Sequence, residues 1–149
     1  MRAILFAAML AGLSTLASSP LEAADKSVDQ AVPENAQIDT LADKFFALLK
    51  SGKSAEATTY AFSTSPLMSG RTADLQYLVG QIDNAVKIYG PVLGAEKVDE
   101  EVLGTVYVKR FYIARHANML TRWEFEFGRV GGGWSILNFA FEDQIRTWR

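Results

Sequence analysis

Residues 122–142 read RWEFEFGRVGGGWSILNFAFE, with three glycines between two runs rich in aromatic residues. On both sides of the glycines Gly131–Gly133, apolar and polar residues alternate, as they do in a strand with one buried face. Trp123, Phe125 and Phe127 fall on one face of the first strand, with glutamates between them. The stretch therefore predicts an antiparallel hairpin that turns one aromatic surface towards a core.

The length of the glycine turn determines which side chains meet across this hairpin. A two-residue turn would place Phe125 opposite Asn138, whereas a three-residue loop places Phe125 opposite Phe139 and keeps the apolar side chains on one surface. Glycine reaches the positive φ of such a loop without steric cost. We predict the three-residue loop, which gives the pairs Phe127 with Leu137, Phe125 with Phe139 and Trp123 with Phe141.

The same reasoning, applied to the turn around RHANM at residues 115–119, predicts the pairing of the preceding strand. It sets Arg110 opposite Glu124 on the outer face as a solvated ion pair. On the inner face it pairs Phe111 with Trp123, Lys109 with Phe125 and Tyr107 with Phe127. The predicted inner face holds no carboxylate before Asp143 and consists of Tyr107, Lys109, Phe111, Trp123, Phe125, Leu137, Phe139 and Phe141.

Upstream of these strands, apolar residues recur at helical spacing. The pattern predicts a helix from about Ile38 to Gly52, with Asp39 or Asn35 able to cap it, and a second helix capped by Ser54. A third helix follows Thr72 and ends at Gly90 and Pro91, as a glycine and proline after the last apolar residue indicate. After Pro91, four segments rich in β-branched and aromatic residues predict successive strands, with the acidic Asp99–Glu101 in a solvated turn: VLGAEKV, VLGTVYVKRFYIAR, MLTRWEFEFGRV and WSILNFAFED.

Helices followed by a meander predict an α+β fold. The N-terminal helices should pack on a curved, four-stranded antiparallel meander that forms a cone-like half-barrel. The 49% of hydrophobic residues are enough to build a core, and with no cysteine in the chain the core must be held by packing alone.

The first residues, MRAILFAAMLAGLSTLASSPLEA, have a basic residue, an apolar run and then small residues, which is typical of a secretory signal peptide. We predict a signal peptide at residues 1–23 with cleavage after Ala23, a flexible leader at 24–36 and a single domain at 37–149. The expected location is the periplasm or the outside of the cell, with no membrane association after cleavage. Without cysteine, neither a lipid anchor nor a disulfide is expected.

Charge is balanced along the predicted mature chain. Cleavage removes Arg2 and Glu22, so the net charge stays at −2, and no basic stripe is present. Nucleic acid is therefore not an expected partner. With one histidine and no cysteine, only carboxylates remain as ligands, and no metal site or cofactor is predicted.

Three helices followed by a W-x-F-x-F strand (residues 123–127), a G-W step at 133–134 and an F-x-F strand (residues 139–141) resemble the nuclear-transport-factor-2-like superfamily, also called SnoaL-like or ketosteroid-isomerase-like. The closer resemblance is to its small, functionally uncharacterised periplasmic members, over roughly residues 37–145. The resemblance implies a bent sheet wrapped around a long helix, a pocket between them and dimerisation through the outer sheet face. It also implies diverse functions, since the scaffold hosts isomerases, dehydratases, cyclases and noncatalytic binding modules.

The catalytic pattern of the enzymatic branches is missing from this sequence. Isomerase-like members pair a buried acid with a tyrosine, and dehydratase-like members add a histidine; neither set can be matched here, so we predict no catalytic residue. The single histidine, His116, is expected to be an exposed bystander at a hairpin tip.

Two sets of candidate residues follow from the predicted faces. Lys109 either extends to the edge of the domain or places a cation in the pocket for an anionic ligand. The candidate pocket consists of Tyr60, Tyr107, Lys109 and Trp123, and the candidate interface of a homodimer through the outer sheet face consists of Tyr112, Trp134 and Ile136.

The function expected from these features is that of a noncatalytic module that binds a small apolar ligand or a protein partner. The alternative is a small enzyme of the isomerase, dehydratase or cyclase type that uses the cone pocket. A closed cavity with a carboxylate inside favours the enzyme, and a filled cone favours the binding module.

Overall fold

The computed structural model describes residues 31–144 and 148, and for residues 31–35 it describes the backbone alone. The predicted signal peptide lies outside the described residues. Three helices precede four strands: α1 (Ala31–Lys50), α2 (Ser54–Ser63), α3 (Thr72–Tyr89), β1 (Val92–Leu103), β2 (Tyr107–His116), β3 (Leu120–Val130) and β4 (Gly133–Glu142). The helices pack against an open, curled antiparallel sheet with strand order β1-β2-β3-β4, which confirms the predicted α+β fold.

Helix α1 begins earlier than predicted. Residues 31–36 of the predicted leader are helical, Pro33 among them. Neither Asn35 nor Asp39 therefore caps the helix. The buried side of α1 recurs at helical spacing and consists of Ile38, Ala42, Phe45, Phe46 and Leu49.

Helices α2 and α3 have the predicted positions. The predicted cap of α2 is wrong, because Lys53 occupies the N-cap without a capping hydrogen bond from its side chain and Ser54 is buried inside the helix. Helix α3 ends at Gly90, whose φ of 85° and close approach to Ala117 both require glycine. Of the described α3 side chains, only Ile82 and Ala85 are fully buried, so α3 lies at the periphery of the domain.

Strand β1 is longer than predicted. Asp99–Glu101 belong to the strand and pair with β2, so the predicted solvated turn at these residues is wrong. The chain reverses instead after Leu103, where Gly104 takes a φ of 61° that other residues rarely adopt. Bulges in β1 after Val92 and after Lys97 shift its register against β2.

The turn between β3 and β4 holds two residues, so the predicted three-residue loop is wrong. Gly131 and Gly132 have φ of 64° and 93°, and Val130 pairs with Gly133. Two central residues with positive φ match the right-handed twist of the flanking strands, which is why this short turn is common in hairpins.

A β-bulge in β4 compensates for the short turn. Phe127 pairs with Ile136, whereas the preceding residue of β3, Glu126, pairs with Asn138. Leu137 is therefore an extra residue on β4, and the predicted pair of Phe127 with Leu137 is wrong.

Beyond this bulge the aromatic register is the predicted one. Phe125 lies opposite Phe139 and Trp123 lies opposite Phe141, with ring centroids 5.6 Å and 4.7 Å apart. Both pairs stack at small interplanar angles.

Before the bulge, the alternation of β4 is reversed relative to the prediction. Trp134 and Ile136 are buried, while Leu137 is half-buried and lies over Gly128. A Cβ at Gly128 would overlap the Leu137 side chain, so the bulge and this glycine fit each other.

Strand β2 presents the opposite face from the one predicted. Its turn to β3 is closed by a bond from the N–H of His116 to the carbonyl of Met119, and the register that results pairs Arg110 with Phe125 rather than with Glu124. The predicted pairs of Phe111, Lys109 and Tyr107 with the aromatic residues of β3 are wrong by one residue. A shift of one residue places every side chain of β2 on the other face of the sheet. The side chains of β2 that share the aromatic face are Val108, Arg110, Tyr112 and Ala114.

Candidate functional site

Aromatic side chains fill the space between α1 and the sheet. The Phe45 ring of α1 lies 5.1–5.5 Å from four neighbouring rings, those of Phe46, Trp123, Phe125 and Phe139. Phe45, Trp123 and Phe125 are at most 1% exposed, and none of them lines the three clefts described below. Trp123, a predicted pocket residue, is therefore part of a close-packed core.

A charged residue lies on this inner face of the sheet. The side chain of Arg110 is 1% exposed, and its guanidinium donates to Asp39 of α1 at 2.5 Å and to Glu100 of β1 at 2.5 Å. The arginine thus joins a helix to two strands. A buried guanidinium is tolerated here because carboxylates accept its hydrogen bonds.

The hydroxyl of Tyr112 also belongs to this cluster. Burial acts to lower the pKa of Arg110, but hydrogen bonds with Tyr112, Glu100 and Asp39 outweigh burial and raise the pKa, so the guanidinium stays charged. Burial raises the pKa of Tyr112, while the neighbouring guanidinium opposes the shift. The charges of this cluster are therefore paired with one another.

His116 is buried, so the prediction of an exposed bystander is wrong for its side chain. Its Nδ1 lies 2.9 Å from the carbonyl oxygen of Gly90, which can only accept, so Nδ1 carries a proton. Its Nε2 lies 3.1 Å from Oγ1 of Thr121, and the same oxygen accepts a hydrogen bond from Nε1 of Trp123 at 2.9 Å. These bonds fix the imidazole between the end of α3 and β3, which is a structural role.

Two predicted pocket residues, Tyr107 and Lys109, lie on the outer face of the sheet. Lys109 Nζ pairs with Glu124 at 2.8 Å. On the same face, the guanidinium of Arg122 lies over the ring of Phe111, 4.3 Å from its centroid. Burial, followed by the charge of Glu126, raises the pKa of Tyr107. The cation of Lys109 is therefore matched outside the cone and does not enter the interior.

Tyr60, the remaining predicted pocket residue, borders an open cleft between α1 and α2. The cleft has a volume of about 430 Å³, with Leu48 and Ala55 among its apolar lining, and the ammonium of Lys44 lies 4.2 Å from the Tyr60 ring centroid. Burial raises the pKa of the Tyr60 hydroxyl. The four predicted pocket residues are thus distributed over the core, the outer sheet face and this cleft, and they form no common site.

A second cleft lies between the end of α3 and the end of β4. It has a volume of about 250 Å³ and is bordered by Tyr89, Glu142 and Asp143. The Tyr89 hydroxyl donates to the Asp143 carboxylate, and this hydrogen bond is the largest cause of the raised pKa of Tyr89. A third cleft of about 210 Å³ lies beside Arg122, which pairs with Glu142 at 3.4 Å.

The predicted interface residues Tyr112, Trp134 and Ile136 are all buried within the domain. Their assignment to the outer face is wrong, since β2 is turned over and the bulge in β4 reverses its first half. Charged side chains, among them Lys109 and Glu124, occupy the outer face instead.

Sequence reasoning missed the functional potential of strand β1. Most of its residues are exposed, and it is an edge of the described sheet. The signal that could have revealed it is the acidic run Asp99–Glu101 between apolar residues, which we interpreted as a turn.

Residues 31–144 and 148 show neither a metal-binding cluster nor a membrane-spanning helix. No group of three or more histidine, cysteine or acidic residues in this part of the chain could hold a metal ion. None of the described helices is long and apolar enough to cross a membrane.

Comparisons of the chain with protein-family models, with curated proteins and with solved structures each gave no match.

Proposed function

We propose that this protein is an exported, noncatalytic binding module of the NTF2-like type that acts in the periplasm or outside the cell. Its partner is recognised at the surface of the domain and not inside the cone. The order of three helices followed by a meander with a W-x-F-x-F strand supports the NTF2-like assignment, and the signal-like residues 1–23 support export.

The observation that carries this proposal is the filled interior. The space where related folds hold a pocket is occupied by the rings around Phe45, and Arg110, a charged residue that faces it, is bound by Asp39 and Glu100. A core closed by rings in contact leaves no room for a substrate among them. A surface that binds a protein then remains as the means of recognition.

Titration with apolar ligands tests this proposal. The mature chain would be mixed with a flat ketone, a long-chain carboxylic acid or benzene, and its melting temperature measured. A ligand that binds only the folded state raises the melting temperature by mass action. We expect no such rise for the wild type, because its core has no room for the ligand.

Phe139→Ala serves as the positive control, because truncating a buried ring leaves an apolar cavity that accepts benzene. Phe127→Ala replaces it should the first variant not fold. A wild-type core that binds any of the three ligands would disprove the proposal.

A small isomerase, dehydratase or cyclase is the second candidate function, favoured by the hydrogen bond between Tyr89 and Asp143 in an open cleft. Two features weigh against it. The raised pKa of Tyr89 makes its hydroxyl a weaker acid, and the cleft does not exclude water.

Deuterium exchange tests this second candidate. An enzyme of the isomerase type would introduce deuterium from the solvent next to the carbonyl of a ketone, as detected by proton NMR. We expect the rate found in buffer alone; a faster rate that is lost in Asp143→Asn would favour the enzyme.

A further inference from the structure

Strand β1 is an edge strand whose two faces are both exposed along most of its length. It pairs with β2 on one side only, and no other described strand pairs with it. The side chains of Val98, Val102 and Leu103 are each more than half exposed. An edge of this length offers unpaired backbone groups beside apolar side chains, which is the surface that a further strand would cover.

Three of the four carboxylates of β1 form a row on one face. Across the ladder, Glu96 pairs with Ile113, Asp99 with Phe111 and Glu101 with Lys109, and these three β2 residues all belong to the outer face. The bulge after Lys97 is what brings Glu96 and Asp99, three residues apart, to the same face. Within the described residues, no ion pair engages these three carboxylates.

The charge of the strand determines which partner can add to it. Four carboxylates against one ammonium give residues 92–103 a net charge of −3. Pairing β1 with β1 of a second copy would oppose −3 to −3, and like charges directly opposite destabilise a sheet. The acidic row and the bulges therefore protect the edge from self-association while favouring a basic strand.

One feature limits where that strand can pair. Asp99 Oδ1 accepts from the backbone N–H of Glu100 at 2.8 Å, so this amide is already engaged at the bulge. The stretch from Glu101 to Leu103 continues the regular ladder beyond it, with Glu101 and Leu103 exposed on one face and Val102 exposed on the other.

We infer that the β1 edge binds an extended, basic protein segment by strand addition, with lysine or arginine side chains opposite the Glu96, Asp99 and Glu101 row and apolar side chains on the other face. Backbone hydrogen bonds supply the affinity and the carboxylates select the charge. The inference rests on the proposed function, since it names the surface and the partner chemistry of the binding module.

A synthetic peptide of about nine residues that alternates lysine with valine or threonine is the probe. We expect NMR titration of the mature chain to shift the amides of β1 and to slow their hydrogen exchange. Replacing the central valine by proline keeps the charge but removes strand pairing, and it should weaken binding more than tenfold.

Two charge reversals complete the test. Glu101→Lys should weaken binding about fivefold to tenfold, while Asp83→Lys, which changes the net charge equally at an exposed site on α3, should change it less than twofold. Equal binding of the proline peptide, equal effects of the two reversals, or no binding at all would overturn the inference.

The test separates the inference from the proposed function. If the peptide does not bind while the wild-type core still rejects apolar ligands, only strand addition is wrong. If the core accepts an apolar ligand, the proposed function is wrong whatever the peptide does.

Discussion

Phe125 lies opposite Phe139 across a hairpin with a two-residue turn, because the extra residue Leu137 in β4 corrects the register between the turn and the aromatic pair. The glycine turn and the bulge together place Ile136, Phe139 and Phe141 on one side of β4. The core of the domain depends on this compensation, since Phe125 and Phe139 both contact Phe45.

Deleting Leu137 should be tolerated. Without it the two-residue turn leads directly into the same pairs, Phe127 with Ile136 and Phe125 with Phe139, and only the contacts of a half-buried leucine are lost. We expect the free energy of unfolding, measured in urea, to fall by about 1 to 2 kcal/mol.

Deleting Ala140, three residues further along β4, is the matched control. No register then keeps both Phe139 and Phe141 opposite their partners, so we expect a loss of about 3 kcal/mol or more. Equal losses for the two deletions would show that Leu137 is not a compensating bulge.

The Arg110 cluster predicts an order among its carboxylates. Glu100→Gln should cost about 3 kcal/mol, because it leaves a buried guanidinium with less countercharge. Asp39→Asn should cost about 1 kcal/mol, because the Asp39 side chain is 52% exposed and water replaces much of its contribution.

Glu101→Gln is the control for this pair of variants. Glu101 is exposed on the opposite face of β1, and its replacement should change stability by less than about 0.5 kcal/mol. Urea unfolding of all three variants decides the matter; an Asp39 variant less stable than the Glu100 variant would contradict the account.

Thr121 holds two ring systems in place through one hydroxyl. Thr121→Val preserves the shape but leaves Nε1 of Trp123 and Nε2 of His116 buried without this partner, so we expect a loss of about 2 to 3 kcal/mol. Thr58→Val is the comparison, since Thr58 is equally buried and its hydroxyl donates to the carbonyl of Ser54 in its own helix. A loss of about 1 kcal/mol or less is expected there, and calorimetry that finds Thr58 the costlier site would reject the network.

Stability should fall at alkaline pH. Burial raises the pKa of the Tyr112 hydroxyl in the folded protein, so the unfolded chain releases the hydroxyl proton at a lower pH. The stabilisation that results is complete below about pH 10 and is lost as the pH rises through the higher pKa of the folded state. Urea unfolding between about pH 8 and pH 11 should therefore show a shallower decline for Tyr112→Phe than for the wild type. The decline is not abolished, because the pKa values of Tyr60, Tyr89 and Tyr107 are raised as well. Identical slopes in the two proteins would contradict this assignment.

Periodicity was sufficient to predict the order of elements and the aromatic surface of β3. Alternation of Trp123, Phe125 and Phe127 with charged residues indicates one buried face whatever the partner strands do. The third helix could also be predicted, because Gly90 and Pro91 mark its end.

The faces of β2 and the first half of β4 could not be predicted in this way. On β2 either the apolar Phe111 or the charged Arg110 could face the core. Arg110 does so because Asp39 and Glu100, on other elements of the fold, bind its guanidinium. On β4 the neighbours Ile136 and Leu137 are both apolar, so the alternation gives no sign of the bulge.

The candidate pocket depended on the predicted face of β2. Once that strand is turned over, Tyr107 and Lys109 leave the interior, and Tyr112 enters it from the predicted interface. An error of one residue in a hairpin register therefore exchanged a pocket for an outer surface.

We propose that the interior is filled and that the protein acts through its surface. A crystal of the mature wild-type protein under xenon pressure provides the sharpest test, since xenon binds in apolar cavities and does not enter a core that has none. We predict xenon only in surface clefts, such as the one beside Lys44 and Tyr60. Xenon bound among the rings of Phe45, Phe125 and Phe139 would contradict the account.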